Sequence, residues 1–435
     1  MKIKFVSKKE IITKVIMSVV LLTLLFLSFL FSDKLEHLLK MNISLRVNER
    51  VRKDVFELDY NVHYIDVGQG NCTFIELPDG KNILIDGGNT MYGLKIENFL
   101  KSKNVETIDY MIATHADSDH IGGLNHVLEN FEIKQIIRPF QICGTGSSFA
   151  TFEVYEHEDL KPVYDYYLET YGSSNKISRA TSLVYKNFIS NIYAETYSEG
   201  ENKIQSEVVV FYDGLKIYGE NYKIEFYAPI VRDENLNISS FCERTSGYAT
   251  KGYGVSNSND ASAIFMVSCF NDKYFFSGDA SWGNGNSSES VFENSAEFDF
   301  INSLTNVERA ELSNISVYLA GHHGSTYSSS SALLNLINPK FVVFSVGEDN
   351  SYGHPSSSVI SRISELESIE KDWFLRTDEM GTITFANIDG EIVYCLEISE
   401  HNAGFMISWQ LFASVVTGLL ILVVIFLKPK SHSRT

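Results

Sequence analysis

The sequence predicts a layered α/β sandwich flanked by an N-terminal and a C-terminal transmembrane helix, and three observations carry that expectation. Short strand-like runs fill the first part of the middle of the chain and strands alternating with helices fill the last third, an order that suits packed sheets covered by helices. The run His115-Ala116-Asp117-Ser118-Asp119-His120 stands between an apolar strand and a helix. Two apolar runs of membrane-crossing length, residues 11–31 and 404–427, lie near the two ends.

The first apolar run is interrupted only by Lys14 and is long enough for a helix to cross about 30 Å of hydrocarbon. Lys2, Lys4, Lys8 and Lys9 ahead of it also suit a cleaved signal peptide, but no clear small-residue cleavage site follows Phe31. The second run ends on Lys428, Lys430 and Arg434, a basic stop that favours a span over a buried soluble helix. Basic tips at 1–10 and 428–435 favour the cytoplasm for both ends and the outer face for everything between the spans. Lys34, Lys40, Arg46 and Arg50 weaken the N-terminal contribution, so the orientation rests on the C-terminal tail. The expected location is the cell membrane, with two anchoring helices, a linker at 32–59 and an extracytoplasmic folded domain at 60–398.

With 435 residues, 44% of them hydrophobic and 21% charged, the middle can bury one large core or two small ones, which excludes disorder as the default. The net charge is −19 although both tips are basic, so the body is strongly acidic. Such a body repels phosphate backbones at long range, which argues against tight, sequence-blind nucleic-acid binding by this domain alone and leaves open a short, metal-guided contact with a phosphodiester. Cys72, Cys143, Cys242, Cys269 and Cys395 are scattered without a CxxC pair, which excludes zinc-ribbon and redox-motif readings. On an outer face their odd number leaves at least one thiol unpaired, and most are expected to be buried and structural.

Strands are expected at 61–66, 72–77 and 82–86, separated by Gly68-Gln69-Gly70 and Pro78-Asp79-Gly80, which supply turn chemistry. A helix follows at 92–101, then a strand at 108–114, a helix at 122–130 and a strand at 133–138. Residues 140–206, rich in Tyr, Ser, Glu and Gly without clean periodicity, read as an insertion. Strand patterns return at 208–212, 224–229, 261–268 and 273–277, ahead of a polar loop between Ser281 and Ser295. Strand 315–320, helix 331–338, strand 341–346, helix 357–367 and short strands through Glu397 complete the domain, with no internal repeat at a fixed period.

His115, Asp117, Asp119 and His120 put four potential ligands into six residues at a strand-to-helix turn. They converge only if the backbone bends sharply there, and Gly122-Gly123 permits close packing beside the bend. Imidazole with carboxylate is the ligand chemistry of Zn, Mn or Fe, whereas capping aspartates on a solvated loop would explain the carboxylates alone.

The sequence resembles the metallo-β-lactamase superfamily and, within it, the hydrolase domain of ComEC-type competence proteins. The resemblance rests on Ile65-Asp66-Val67-Gly68-Gln69-Gly70, Leu84-Ile85-Asp86-Gly87-Gly88, the His115–His120 run with Gly122-Gly123, Phe276-Ser277-Gly278-Asp279 and Gly321-His322-His323-Gly324-Ser325. It continues through Ser345-Val346-Gly347, Tyr352-Gly353-His354-Pro355 and Arg376-Thr377-Asp378 with Gly381, in order over residues 61–397 apart from the insertions. It implies an αββα sandwich and a site for one or two divalent ions held by His115, Asp117, Asp119, His120, Asp279 and His322. Asp279 ends a strand after Gly278, where its carboxylate can bridge two cations. His322 is favoured as the ligand over His323, which is expected as a neighbour or proton donor. His354, at the mouth of a helix, suits oxyanion binding or proton donation, and Asp119, His323 and His354 form the expected catalytic set. Asp66 and Asp86 are expected to brace the loops, and His63, His126 and His157 to be ordinary core or surface residues.

Many dinuclear members of the superfamily place a further histidine on a strand between the first cluster and the bridging aspartate, whereas this chain has Asn259-Asp260-Ala261-Ser262 ahead of that strand. With Asp117 also replacing an imidazole, the donor set shifts from Zn towards harder ions such as Mn. The resemblance implies a membrane-anchored phosphodiesterase or nuclease, with the membrane, DNA or another phosphodiester as partners, and a separate DNA-binding or channel subunit supplying the basic surface that the domain lacks. Only two spans are legible, so DNA transport by this chain alone is not expected. Two alternatives stand beside it: a hydrolase of small esters, lactones or lactams, and a metal-binding sensor or scaffold without turnover that uses 140–206 as a partner surface.

Overall fold

The computed structural model describes residues 60–139, 142–143, 179–180, 182–228, 258–282, 295–348, 350–370, 373–388 and 390–397. Both expected membrane spans, the linker, the two tips, most of the expected insertion, His157 and Cys242 lie outside the described residues. Among the described residues no helix is long and apolar enough to cross a membrane.

Two sheets form the centre. The first has eight strands in the order Glu207–Val210, Glu132–Arg138, Thr107–Ile112, Asn82–Ile85, Thr73–Glu76, Asn61–Tyr64, Thr382–Ile388 and Glu391–Glu397. The second has seven, in the order Lys216–Gly219, Tyr222–Ala228, Ile264–Cys269, Asp272–Phe276, Val317–Leu319, Phe341–Phe344 and Phe374–Arg376. Side-chain alternation along the strands explains why each sheet is apolar on both faces. Ile83 and Ile85 enter the core between the sheets while Leu84 points the other way, and Tyr274 and Phe276 are split from Phe275 in the same manner. Phe211, Phe226, Phe265 and Phe276 stack in series across the inner core, with ring centroids 5.6, 5.0 and 4.9 Å apart. Full burial of a side chain of this kind contributes about 1.5–3 kcal/mol.

The outer faces are covered by helices. Gly93–Ser102, Leu124–Asn130 and Leu183–Ala194 close over the first sheet through Ile96, Leu100, Val127 and Phe188. Ala296–Ser303, Ser331–Ile337 and Ser357–Ser364 close over the second through Phe300, Leu333, Ile337 and Ile363. The result is the expected helix–sheet–sheet–helix layering.

Helix Leu183–Ala194 falls inside the expected insertion, yet it is part of the frame. Tyr185, Phe188, Ile189 and Ile192 recur at helical spacing and are buried against the first sheet's helices, and strand Glu207–Val210 then adds to the sheet edge. Helices Ala296–Ser303 and Asn306–Glu311 and strand Lys216–Gly219 have no counterpart in the sequence expectation. Cys72 and Cys269 are buried free thiols, and Cys395 is buried as well.

Two blocks of parallel strands position the functional loops. Asn82–Ile85, Thr107–Ile112 and Glu132–Arg138 run parallel in one sheet, and Asp272–Phe276, Val317–Leu319, Phe341–Phe344 and Phe374–Arg376 in the other. Four of these strands end earlier than the apolar pattern suggests, at Ile112, Phe276, Leu319 and Phe344, so the residues just beyond each are released into loops at the carboxyl ends. Open α/β sheets bind their ligands at such ends.

Candidate metal centre

The first loop leaves its strand at Ile112 and bends through Thr114 and His115 into the short helix Ser118–Ile121, with Asp117 at its N-cap. Asp86 holds this bend from below. Its Oδ1 accepts from the Thr114 N–H at 2.8 Å, and its Oδ2 accepts from the Thr114 hydroxyl and from His120 Nδ1, both at 2.7 Å. Close packing beside the bend depends on glycine: a Cβ at Gly123 would lie 2.1 Å from the Gly87 carbonyl oxygen.

The second loop turns at Gly278, φ +47°, and delivers Asp279, whose backbone N–H donates to Ser262 Oγ at 3.0 Å. Ser262 belongs to the run ahead of the strand where many superfamily members carry a further histidine, and its hydroxyl here steadies the aspartate. The third loop carries His322 and His323, both left-handed at φ 49° and 56°. Residues with a Cβ rarely adopt that conformation, and it persists where surrounding contacts enforce it. Here the His322 N–H donates to the Gly278 carbonyl at 3.0 Å, the Gly321 N–H to Tyr318 Oη at 2.9 Å, and His323 Nδ1 to the Ser345 carbonyl at 2.9 Å.

These loops bring seven of the sequence-predicted residues into one region. His115, His120 and Asp279 offer donor atoms within 4.8 Å of one another, and so do Asp119, His120 and His323. His120 Nε2 is 3.2 Å from Asp279 Oδ1, His115 Nε2 is 3.7 Å from Asp279 Oδ2, and His323 Nε2 is 3.4 Å from Asp119 Oδ2. Asp117, more exposed, lies 3.8 Å from His115 Nε2. His322 Nε2 is 3.6 Å from Asp279 Oδ2 and joins neither cluster, so His323 stands beside the expected ligand His322 as a candidate. His354 stands one ring further out, 5.8 Å from the His322 ring and 6.4 Å from the His323 ring.

A divalent ion fits these residues. His115 Nε2, His120 Nε2, His323 Nε2 and Asp279 Oδ1 are all buried, all face this region and all lack a hydrogen-bond partner. Buried polar atoms are normally satisfied, so four orphans converging on one place mark a missing common partner. Imidazole nitrogens with carboxylate oxygens are the donors that Zn and Mn accept.

The electrostatics agree. Burial opposes ionisation of Asp279, yet the imidazoles of His120, His115, His322 and His323 hold its carboxyl well below the usual carboxylate range. Burial likewise opposes ionisation of Asp119, and His323 and His120 overcome it. His115 is lowered by burial and then by His120, whereas His120 is raised, because Asp279 and Asp86 outweigh its burial. Burial, reinforced by repulsion from His323 and His322, brings His354 down to about 4.

Other predicted residues stay apart. His63 is a core residue between Glu76 and Thr384, His126 pairs with Glu97, and Asp66 accepts from the Gly68 N–H and pairs with Lys95. Sequence reasoning missed Tyr318 and Glu297 and gave Ser345, though part of the motif Ser345-Val346-Gly347, no role at the centre. The Glu297 carboxylate, fully buried, accepts from the backbone N–H groups of Ser329 and Ser330 at 2.6 and 2.9 Å and fixes the turn that follows the two histidines. Nothing local marks it, because its partners lie on a separate loop.

The metallo-β-lactamase superfamily model matches residues 65–144. ComE operon protein 3 of Bacillus subtilis is 22% identical over 343 residues, 74% of this chain and 32% of that protein. Competence protein ComA of Neisseria gonorrhoeae is 41% identical over 69 residues, 16% of this chain and 9% of that protein. Recombination protein 2 of Haemophilus influenzae is 30% identical over 105 residues, 23% of this chain and 13% of that protein. The chain spans about a third or less of the length of the curated relatives it matches. Domain match, motif order and donor clusters are together those of a metal-dependent hydrolase. Residues 65–144 thus match the metallo-β-lactamase superfamily, and the curated proteins to which the chain is similar include a competence protein.

Proposed function

We propose that this protein is a membrane-anchored phosphodiesterase or nuclease whose hydrolase domain faces outward, with one or two divalent ions, Mn or Zn, at the centre. The observation that carries the metal-dependent reading is the convergence of four buried, partnerless donor atoms from loops as far apart in sequence as His115, Asp279 and His323. The phosphodiester substrate is supported by the similarity to a competence protein, and the outward orientation by the basic C-terminal tail.

His115, Asp117, Asp119, His120, Asp279 and His323 would hold divalent ions, which would supply Lewis acidity at this centre. The chain's own groups do the rest. The Asp86 carboxylate accepts from His120 Nδ1 and the Ser345 carbonyl from His323 Nδ1, so both rings present the Nε2 lone pair to the centre. His354, held near 4, is neutral at pH 7 and offers a hydrogen bond to a non-bridging or departing oxygen.

The acidity of the body favours a second reading, hydrolysis of a small ester or lactone, because a polyanion gains no long-range steering from it. A separate DNA-binding or channel subunit would supply the missing basic surface and would appear in a pull-down from membranes. The deciding experiment strips the full-length protein of metal, restores Mn or Zn, and compares bis(p-nitrophenyl) phosphate, single-stranded DNA and a small ester. Phosphodiester turnover that disappears together with bound metal in Asp119→Ala is expected. Retention of both metal and activity in that variant would overturn the assignment.

A further inference from the structure

Tyr352 is one of the few large aromatic side chains left in solvent among the described residues, at 71% exposure. A single exposed ring requires no explanation by itself. This one is distinguished by what holds it and where it leads. Its ring lies 5.6 Å from that of His354, at an interplanar angle of 26°, and His354 in turn neighbours His322 and His323. A file of rings thus runs from the buried centre out to solvent.

The turn that carries Tyr352 is braced. Asn350 Nδ2 donates to the Gly347 carbonyl at 3.1 Å and to the His354 carbonyl at 2.8 Å, and the His354 N–H donates back to Asn350 Oδ1 at 2.9 Å. Gly347 is tied in turn to the Gln69 side chain at 3.3 Å. An aromatic held on a clamped turn loses little freedom when a second ring settles on its open face.

Charge then decides what such a ring is for. The chain carries −19, so a phosphodiester chain is not attracted through its backbone. Stacking is the contact that remains available: every base has a π-face, and the interaction requires no positive charge. Resting on the phosphodiesterase reading above, we propose that Tyr352 is a stacking platform for a nucleobase on the strand being cleaved, which makes single-stranded nucleic acid the preferred substrate. A base inside a duplex has both faces covered and reaches the platform only after unstacking, at a cost of a few kcal/mol.

The test measures binding without turnover. The full-length chain in detergent, loaded with Mn, is titrated by fluorescence anisotropy against a labelled thymidine oligonucleotide and against an abasic oligonucleotide of equal length and charge, both with cleavage-resistant phosphorothioate links. The wild type should bind the base-bearing strand roughly tenfold more tightly or better. Tyr352→Ala should bring that strand to the abasic level, and Tyr352→Trp should keep the preference. Equal binding of the two strands by the wild type, binding of neither, or a preference that survives in Tyr352→Ala would overturn the proposal. Hydrolysis of bis(p-nitrophenyl) phosphate by the wild type is scored separately, so a failed hydrolase and a failed platform give different results.

Discussion

Asp86→Asn isolates the contribution of one carboxylate to the metal centre. Asp86 has φ 55°, a conformation that asparagine tolerates better than most residues, so the backbone and the side-chain size are conserved. What changes is the hydrogen bonding. The carboxylate accepts three times, from the Thr114 N–H, the Thr114 hydroxyl and His120 Nδ1. An amide must turn its NH2 either towards His120 or towards the Thr114 N–H. In the first case His120 is driven to the tautomer with the proton on Nε2, the nitrogen that faces the centre; in the second the Thr114 N–H loses its acceptor. A hydrogen bond to a charged group contributes about 1.5–3 kcal/mol, and loss of a ligand's outer partner weakens metal binding about 10–100-fold. The two magnitudes agree, since about 1.4 kcal/mol is tenfold. The assay is a competition titration of metal-stripped protein against a chromogenic chelator, with a thermal melt to confirm folding. A folded Asp86→Asn variant with wild-type metal affinity would refute the reasoning.

Replacement of the tandem histidines should separate their roles: His323→Ala loses tightly bound metal by elemental analysis and His322→Ala retains it, and equal losses would contradict the geometry. Burial pushes the Glu297 carboxyl up to about 7, against the pull of the Ser330 and Ser329 donors and of Arg362. Because that value lies above the ordinary 4.5, its contribution to stability is full below pH 4.5 and is lost as pH rises through about 7, a swing of about 3 kcal/mol. Denaturant unfolding at several pH values should show this decline in the wild type and its absence in Glu297→Gln; parallel curves for the two proteins would contradict it. Phe265→Ala, at a fully buried ring between Phe226 and Phe276, should cost about 3–5 kcal/mol in the same measurement. A loss no larger than that of an exposed residue would mean that the inner stack does not pack as described.

The parts of the site carried by consecutive residues were legible in the sequence. Between His115 and His120 the ligand types, the preceding apolar strand and the following glycines all lie within one window, and the structure assembles them there. The candidacy of His323 beside His322 was not legible, because it depends on two left-handed residues and on a carbonyl at Ser345 that arrives with another strand. Glu297 was hidden for the same reason, its partners being Ser329 and Ser330 on a distant loop. Helix Leu183–Ala194 was a different case: its apolar positions have helical spacing, but they are aromatic or β-branched residues in a stretch dominated by Tyr and Ser, which masked the period.

The two donor clusters are not equivalent, and the difference follows from how the loops are built. Asp119, His120 and His323 come with their supports in place, since Asp86 and the Ser345 carbonyl fix the two rings. The other cluster has His115 and Asp279, shares His120, and has Asp117 at 44% side-chain exposure as its nearest further carboxylate. Ser262 supports this cluster indirectly, its hydroxyl accepting from the Asp279 N–H. Each cation position therefore has two imidazole nitrogens and one carboxylate, and they differ in burial: His115, His120 and Asp279 are all buried, whereas Asp119 in the other triplet is partly open to solvent. Because Asp86 engages His120 Nδ1, the shared Nε2 serves one position at a time, so the two triplets are alternative placements of one ion unless a further donor replaces His120 in one of them.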